Sequence, residues 1–348
     1  MSDRAPSDRK TFSVCSLLEA WRKRLQHLSA DDAGLKEDHQ AHLRQALLLT
    51  ARQHCEPEGL WHLIQAAHVY FMHTGWVHTW ACTLQKVVDL WPQWARRYPM
   101  VMEHLAEAWG AAGQWSRTQE ALQRLRATVQ DTPPNETVLL QQAALLWNQG
   151  RWEAAYRVAQ QAWNRLSPES DALMRVKTAR LLLLASWRLH RLRQARWWGQ
   201  QALAACPQDQ VKHLGLIHHF LFLVAWAEQR PEAEHHLTQA LRCLRAAGDR
   251  LNLANVLADG TELWLAQGRL ERAEEALSRS YALWREMEVP AGLADYYRHA
   301  ARVTWHLGKP ALARAYADYA LHLWRRLGHP GEIRRCARLL AHLSAQAR

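Results

Sequence analysis

The sequence lacks the motifs on which many enzymes and metal sites depend. None of its six cysteines forms a C-x-x-C pair, which excludes a zinc ribbon and a thioredoxin-like redox motif. Neither G-x-x-x-x-G-K-[ST] nor H-E-x-x-H occurs, which excludes a P-loop and the helix of a zinc protease. The 20 histidines do not cluster with cysteine at ligand spacing. We therefore expect a protein that is not an enzyme and has no cofactor and no specific metal site.

Long hydrophobic runs are also missing. The longest, residues 215–227, is interrupted by His218 and His219 and falls short of the roughly 20 apolar residues that span a bilayer. The start, MSDRAPSDRK, lacks the apolar core of a signal peptide. We expect a soluble, cytoplasmic protein with no membrane partner, whose cysteines are free thiols.

Strand signals are absent, and breakers are few. Alternating β-branched residues between turns do not occur, and the 348 residues include only 15 Gly and 12 Pro. Good helix formers such as Ala, Leu, Gln, Arg and Glu dominate instead. The sequence therefore predicts an all-α fold. Its formal charge of +11 favours acidic partners, and its 19 Trp need either core positions or a role in binding.

A helix-ending signal recurs along the chain. Short segments such as AAGQW, NQGRW, AQGRL and HLGKP lie between stretches of helical periodicity, at intervals of 37–40 residues. A near-constant period of this length predicts an array of repeats. The anchors of this pattern, which we expect in turns between helices, are Gly75, Gly113, Gly150, His190, Glu228, Gly268 and Gly308.

Each interval contains the pattern of a helical hairpin. Met102, Leu105, Ala106 and Trp109 are spaced as large-x2-Leu-small-x2-aromatic before one anchor. After other anchors, small residues follow at fixed phase and allow two helices to approach closely, and Pro residues fall near the unit boundaries. Examples of the small residues are Ala155, Ala159, Ala162, Ala313, Ala317 and Ala320.

This pattern resembles the tetratricopeptide repeat (TPR), although the standard unit has about 34 residues. The longer units are similar to those in the sensor arms of bacterial STAND- and LuxR-type regulators. The resemblance implies a right-handed α-solenoid of about seven TPR-like hairpins, with 16–17 helices in all. The implied division is a disordered tail at 1–10, N-terminal capping helices at 11–56, the repeat array at 57–328 and a C-terminal capping helix at 329–348. In such arrays each repeat contacts mainly its neighbours.

The resemblance also implies which residues line the concave surface, because the first helix of each hairpin lines it. Residues 172–208 contain seven Arg or Lys and no acid, and three of these cations fall at concave positions beside Trp. Arg binds carboxylates with two donors, and Trp with Arg is a common composition of binding sites. The predicted binding residues are Trp147, Asn148, Lys177, Arg180, Trp187, Arg188, His218, Phe222, Trp226, Arg298, Arg302 and Trp305.

Three functions fit these observations. The first is a regulatory scaffold or adaptor that binds an acidic or C-terminal peptide segment of another protein. The second is a regulator that binds nucleic acid through the basic face of residues 298–348, where ten Arg or Lys face two acids. The third is the stand-alone sensor part of a signalling ATPase system. The alternative for individual residues is that the Trp pack between helices and the Arg are solvated.

Overall fold

The computed structural model describes residues 14–27, 37–74, 76–128, 136–167, 171–287 and 289–346. These ranges contain no strand and eighteen α-helices, more than the 16–17 that were expected. The all-α prediction is therefore confirmed. The helices are α1 Val14–His27, α2 Glu37–Gln53, α3 Pro57–Thr74, α4 Val77–Leu90, α5 Pro92–Arg97, α6 Met100–Ala111, α7 Trp115–Thr128, α8 Glu136–Asn148, α9 Trp152–Arg165, α10 Ala172–Arg188, α11 Leu192–Ala205, α12 Val211–Ala227, α13 Glu232–Ala246, α14 Arg250–Ala266, α15 Leu270–Glu286, α16 Pro290–His306, α17 Pro310–Leu327 and α18 Pro330–Gln346.

From α6 onward the helices form consecutive hairpins. The even-numbered helices α6 to α16 are the first helix of each hairpin, and each packs most extensively on the odd-numbered helix that follows it. Helices α3 and α4 precede these hairpins, with the short α5 after them, and α18 packs on α17. Helix α1 packs on α3, α2 on α4 and α18 on α17. These terminal helices therefore pack as the helices of the array do, and the division into capping helices and array stays a prediction. Among the described helices, none combines the length and hydropathy that a membrane span requires.

The turns carry the period that the sequence shows. Gly113, Gly150, Gly268 and Gly308 all have positive φ, where glycine has no Cβ to clash. The Gly150 turn closes with backbone bonds from Gly150 N to Trp147 O and from Arg151 N to Leu146 O, a Schellman ending of α8. Gly75 lies outside the described residues.

In two of the turns between helices, a residue other than glycine adopts the left-handed backbone conformation with positive φ. His190 has φ 58°, as expected for an anchor, but at the next junction the residue with positive φ is Gln229, not Glu228. The predicted anchor was therefore one residue too early. Nothing in the sequence separated the two positions, since neither is a glycine.

Small residues let the second helix of each hairpin pack closely on its neighbours. Ala155, Ala159 and Ala162 on α9 are fully buried, and so are Ala313 and Ala317 on α17. A larger side chain at these positions has no space, because protein interiors are packed as densely as organic crystals.

Ala313→Trp should therefore lower the free energy of unfolding by about 1–3 kcal/mol or more through overpacking. Thermal denaturation followed by circular dichroism measures the effect. Ala311→Trp is the matched control, because Ala311 is exposed on the same helix. Equal melting temperatures for the two variants would show that the helix phase is assigned incorrectly.

The array coils until distant repeats meet. Helix α3 contacts α14, the Gly113 turn lies against Ala291, and the Gly150 turn lies against Gly331 and the guanidinium of Arg334. Each contact joins repeats that are five units apart. Repeats still contact mainly their neighbours, as expected, but these additional contacts join the two ends of the array. We call the inner surface around which the array coils the lumen.

Candidate ligand-binding lumen

The lumen is bounded by the first helix of each hairpin, namely α3, α6, α8, α10, α12, α14 and α16, together with α18. Charged side chains of these helices interact across it: Glu107 on α6 interacts electrostatically with Lys177 on α10 and Lys212 on α12. Helix α8 lies between α6 and α10 in the array, so this interaction requires a curved inner wall. The charged residues predicted at concave positions in the fourth and seventh hairpins do lie on this wall.

In the fifth hairpin the residues that face the lumen lie one position later in the sequence than predicted. His218 does not face the lumen, because its Nδ1 lies 3.0 Å from Nδ1 of His236 on the outer helix α13. Phe222 is fully buried in the core. The lumen residue is His219, which bonds Asp259 at 2.9 Å. These two predicted positions are wrong for one reason, since the turn residue of this hairpin is Gln229.

Two cations on α10, Lys177 and Arg180, make no ion pair with a described residue. Arg180 is half-buried, yet burial among the surrounding helices lowers the pKa of its guanidinium. Within the described part of the chain, no hydrogen bond or ion pair is made by Arg180. Its side chain interacts only electrostatically with Glu107 and Asp249. Lys177, one helical turn away, is exposed to the lumen.

Two further basic residues, Lys212 and His213, lie on the neighbouring helix α12. Lys212 pairs at 3.3 Å with Asp249, whose carboxylate also caps α14 by accepting from Asn252 N. Burial, together with the charges of Arg180 and Lys177, lowers the pKa of His213 to about 4. A neutral histidine beside these cations adds a polar group without opposing an anion. We call Lys177, Arg180, Lys212 and His213 the basic cluster.

A histidine and carboxylate group faces the basic cluster from α3 and α6. His68, His104 and Glu107 place one ligand atom each within 4.8 Å of the others, the spacing of a metal site. However, Trp80 Nε1 donates to His68 Nδ1 at 2.9 Å, so neutral His68 carries its proton on Nε2 and donates it to Glu107 at 3.2 Å. That nitrogen is not free for a metal ion, so these residues do not fit one.

Glu103 lies one helical turn before Glu107, and its side chain is buried. Burial raises its pKa to about 7, while the charge of Lys177 and a hydrogen bond from Gln141 act in the opposite direction. A carboxyl group that is partly protonated at neutral pH neutralises the basic cluster less than an ordinary glutamate would.

A second network of charges lies on α12, α14 and α16. Asp259 binds His219 at 2.9 Å and His299 at 3.5 Å. Arg298, only 2% exposed, binds Asp295 at 2.8 Å, and Arg302 pairs with Glu262. Both arginines were predicted to bind a ligand, but the chain already provides each with a carboxylate.

Arg188 on α10 joins this helix to α18, which lies far away in the sequence. Its guanidinium lies 4.8 Å from the ring centre of Trp187 and 5.8 Å from those of Trp147 and Trp152. One of its nitrogens binds Glu332 of α18 at 2.9 Å. The arrangement of a cation among aromatic faces is the predicted one, but its anion comes from the same chain.

Apolar side chains recur at one level of the lumen. Each lies three residues before the turn residue of its hairpin, so they occupy equivalent positions on successive inner helices. We call this set the apolar belt. Its members are Trp147, Trp187, Trp226, Leu265 and Trp305. The side chain of Asn148, predicted beside the belt, lies outside the described part of the chain.

Comparisons with known proteins agree with this architecture. A Rap protein complexed with Competence and Sporulation Factor has a TM-score of 0.58 and 11% identity, over 96% of this chain and 98% of that one. A STAND protein with a tetratricopeptide repeat sensor, from Pyrococcus horikoshii, has a TM-score of 0.52 and 13% identity. It matches 89% of this chain but only 44% of its own length. The chain has the fold of a TPR-like repeat protein.

A human protein shares the fold of this TPR-like protein as well. The human IFIT1 dimer with PPP-AAAA has a TM-score of 0.52 and 12% identity, over 94% of each chain. No protein-family model and no curated protein sequence matches this chain. At these identities the structural matches establish the fold.

Sequence reasoning missed several lumen residues of the TPR-like protein. Glu103 and Glu107 stand ten and six residues before Gly113, as Arg298 and Arg302 stand before Gly308. Counting the same numbers of residues back from Gly113 would therefore have identified both acids as lumen residues. Lys212 had no such signal, because it stands 17 residues before Gln229, about one helical turn further from the turn residue than any predicted position.

Proposed function

We propose that the protein is a non-enzymatic binding module that captures an acidic peptide segment of a partner protein in its lumen. The observation that carries this proposal is Arg180, a guanidinium deep in the lumen that makes no hydrogen bond or ion pair with a described residue. Burying a charged group without a partner is costly, and a ligand carboxylate would remove that cost with two parallel hydrogen bonds.

Ion pairs within the chain leave the basic cluster as the best candidate for the binding site of the peptide. Arg188, Arg298 and Arg302 already have internal carboxylates, so a ligand would have to displace those partners. Lys177 has no ion pair with a described residue and stands one turn before Arg180, on the same side of α10. These two cations therefore offer an acidic segment its first contacts. The Rap neighbour complexed with Competence and Sporulation Factor is consistent with a second molecule binding to this fold.

The test is the affinity of acetylated hexaglutamate for the wild-type protein and for Arg180→Ala. We expect the substitution to weaken binding by about 1.5–3 kcal/mol, the usual contribution of a hydrogen bond to a charged group. Isothermal titration calorimetry at 50 and 200 mM salt measures it. Arg314→Ala is the control, because Arg314 is exposed on the outer helix α17.

Equal affinities of wild type and Arg180→Ala would exclude the basic cluster as the site. A single-stranded oligonucleotide of thymidines provides the second arm of the experiment. If it binds with a steep salt dependence that Arg180→Ala leaves unchanged, the nucleic-acid hypothesis replaces the peptide hypothesis.

A further inference from the structure

The apolar belt widens into a pocket next to α18. The pocket has a volume of about 370 Å³ and lies between the inner helices α12, α14 and α16 and the last helix. Trp226, Leu265 and Trp305 of the belt form one side, and Leu339 and Leu343 of α18 form the other. Its size is near the lower end of small-molecule pockets and fits one large side chain better than a folded segment.

Four polar side chains also line the pocket, namely Glu262, Arg302, His306 and His342. Arg302 and Glu262 both line it and are paired with each other. Because their charges cancel, this ion pair adds no net charge to the pocket. An apolar side chain, in contrast, gains from the Trp and Leu surfaces without breaking the pair. The basic cluster and this pocket therefore favour opposite kinds of chemical group.

We infer that the pocket receives a large apolar side chain, aromatic or long aliphatic, of the same peptide whose acidic group contacts the basic cluster. This inference rests on the proposed function and adds a second requirement to the ligand. An aromatic side chain buries about 150–250 Å² and supplies much of the binding energy in many interfaces.

The helix geometry sets the spacing of the two groups in the ligand. Belt residues stand three positions before their turn residue, whereas Arg180 stands ten positions before His190. Seven residues of α-helix rise by about 10 Å along the helix axis. An extended peptide advances about 3.3 Å per residue, so its acidic and apolar residues must be at least about three residues apart.

The pocket is tested first with indole, a neutral probe that needs no basic cluster. Ala266→Trp places an indole ring in the pocket, because Ala266 lines it and is exposed at the end of α14. Ala246→Trp is the matched control, since Ala246 is exposed at the end of the outer helix α13. Saturation-transfer NMR titrations should show indole binding to wild type and Ala246→Trp, and at least tenfold weaker binding to Ala266→Trp. Indole binding that is unchanged in Ala266→Trp would overturn the inference.

Two peptides then test whether one ligand uses both places. Acetyl-Glu-Glu-Glu-Gly-Gly-Trp-amide should bind wild type about tenfold or more tightly than its counterpart with Ser in place of Trp, as expected for burial of one large apolar side chain. In Ala266→Trp the two peptides should bind equally. Equal binding of both peptides to wild type would overturn the inference and leave the proposed function standing. Indole binding without binding of either peptide would refute the proposed function, and with it the shared ligand.

Discussion

Glu332→Gln is expected to lower the free energy of unfolding by about 3–5 kcal/mol at neutral pH, because it leaves a buried cation without its counter-charge. Glu332 is 7% exposed and binds Arg188 at 2.9 Å and Arg335 at 3.6 Å. Arg298 also interacts with it electrostatically. Three guanidinium groups would then repel one another at the contact between α10 and α18.

The same carboxylate should make the stability depend on pH. Burial alone would raise the pKa of Glu332, but Arg335 and Arg188 outweigh this and lower it to about 2. A group whose pKa is lower in the folded state binds fewer protons there, so its contribution is present above its unfolded pKa near 4.5 and is lost as the pH falls towards 2. The difference in stability between wild type and Glu332→Gln should therefore shrink across that window.

Urea denaturation between pH 2 and pH 8 measures both effects. Glu271→Gln is the control, because Glu271 is exposed on α15 and makes no ion pair with a described residue. A difference between wild type and Glu332→Gln that stays constant across this pH range would contradict the assigned ion pair.

Trp284→Ala is the second large effect that we expect, at about 3–5 kcal/mol of unfolding free energy. Trp284 is 1% exposed on α15, and its indole lies directly against the backbone of Gly292. It belongs to the same buried cluster as Leu105 and Trp109 of α6, far earlier in the chain. Removing the indole therefore leaves a cavity where distant repeats meet.

Which helices are destabilised in Trp284→Ala tests this contact more sharply than the loss of unfolding free energy does. In an array whose repeats contact only neighbours, the loss would stay near α14 to α17. Here we expect amide hydrogen exchange in Trp284→Ala to accelerate in α6 as well. Trp197→Ala is the control, because Trp197 is 48% exposed on the outer helix α11. Exchange that accelerates only in the C-terminal helices would show that the distant contact contributes little to stability.

The candidate site was only partly predictable from the sequence. Lys177 and Arg180 could be placed on the inner wall, because helical phase before a known anchor decides which side of α10 they occupy. The phase failed for His218 and Phe222, where a non-glycine turn hid the position of the anchor by one residue. One residue rotates a helix by about 100°, which is enough to turn a lumen residue towards a neighbouring helix.

Partners across the lumen could not be predicted at all. Arg188 and Glu332 are separated by 144 positions, and nothing in the local pattern of either residue indicates the other. The sequence therefore showed which arginines point inward, but not that Arg188, Arg298 and Arg302 are already paired while Arg180 is not.

The sequence by itself determined the helices, the period of 37–40 residues and the small residues that pack each hairpin, because these depend on interactions over a few helical turns. Only the tertiary structure decided how far the array coils, and so which repeats meet five units apart. A small rotation from each repeat to the next accumulates along the array, and its sum depends on the packing of every hairpin. That sum brings the inner helices together around the lumen, places most of their charged groups in ion pairs and leaves Arg180 without an ion pair among the described residues.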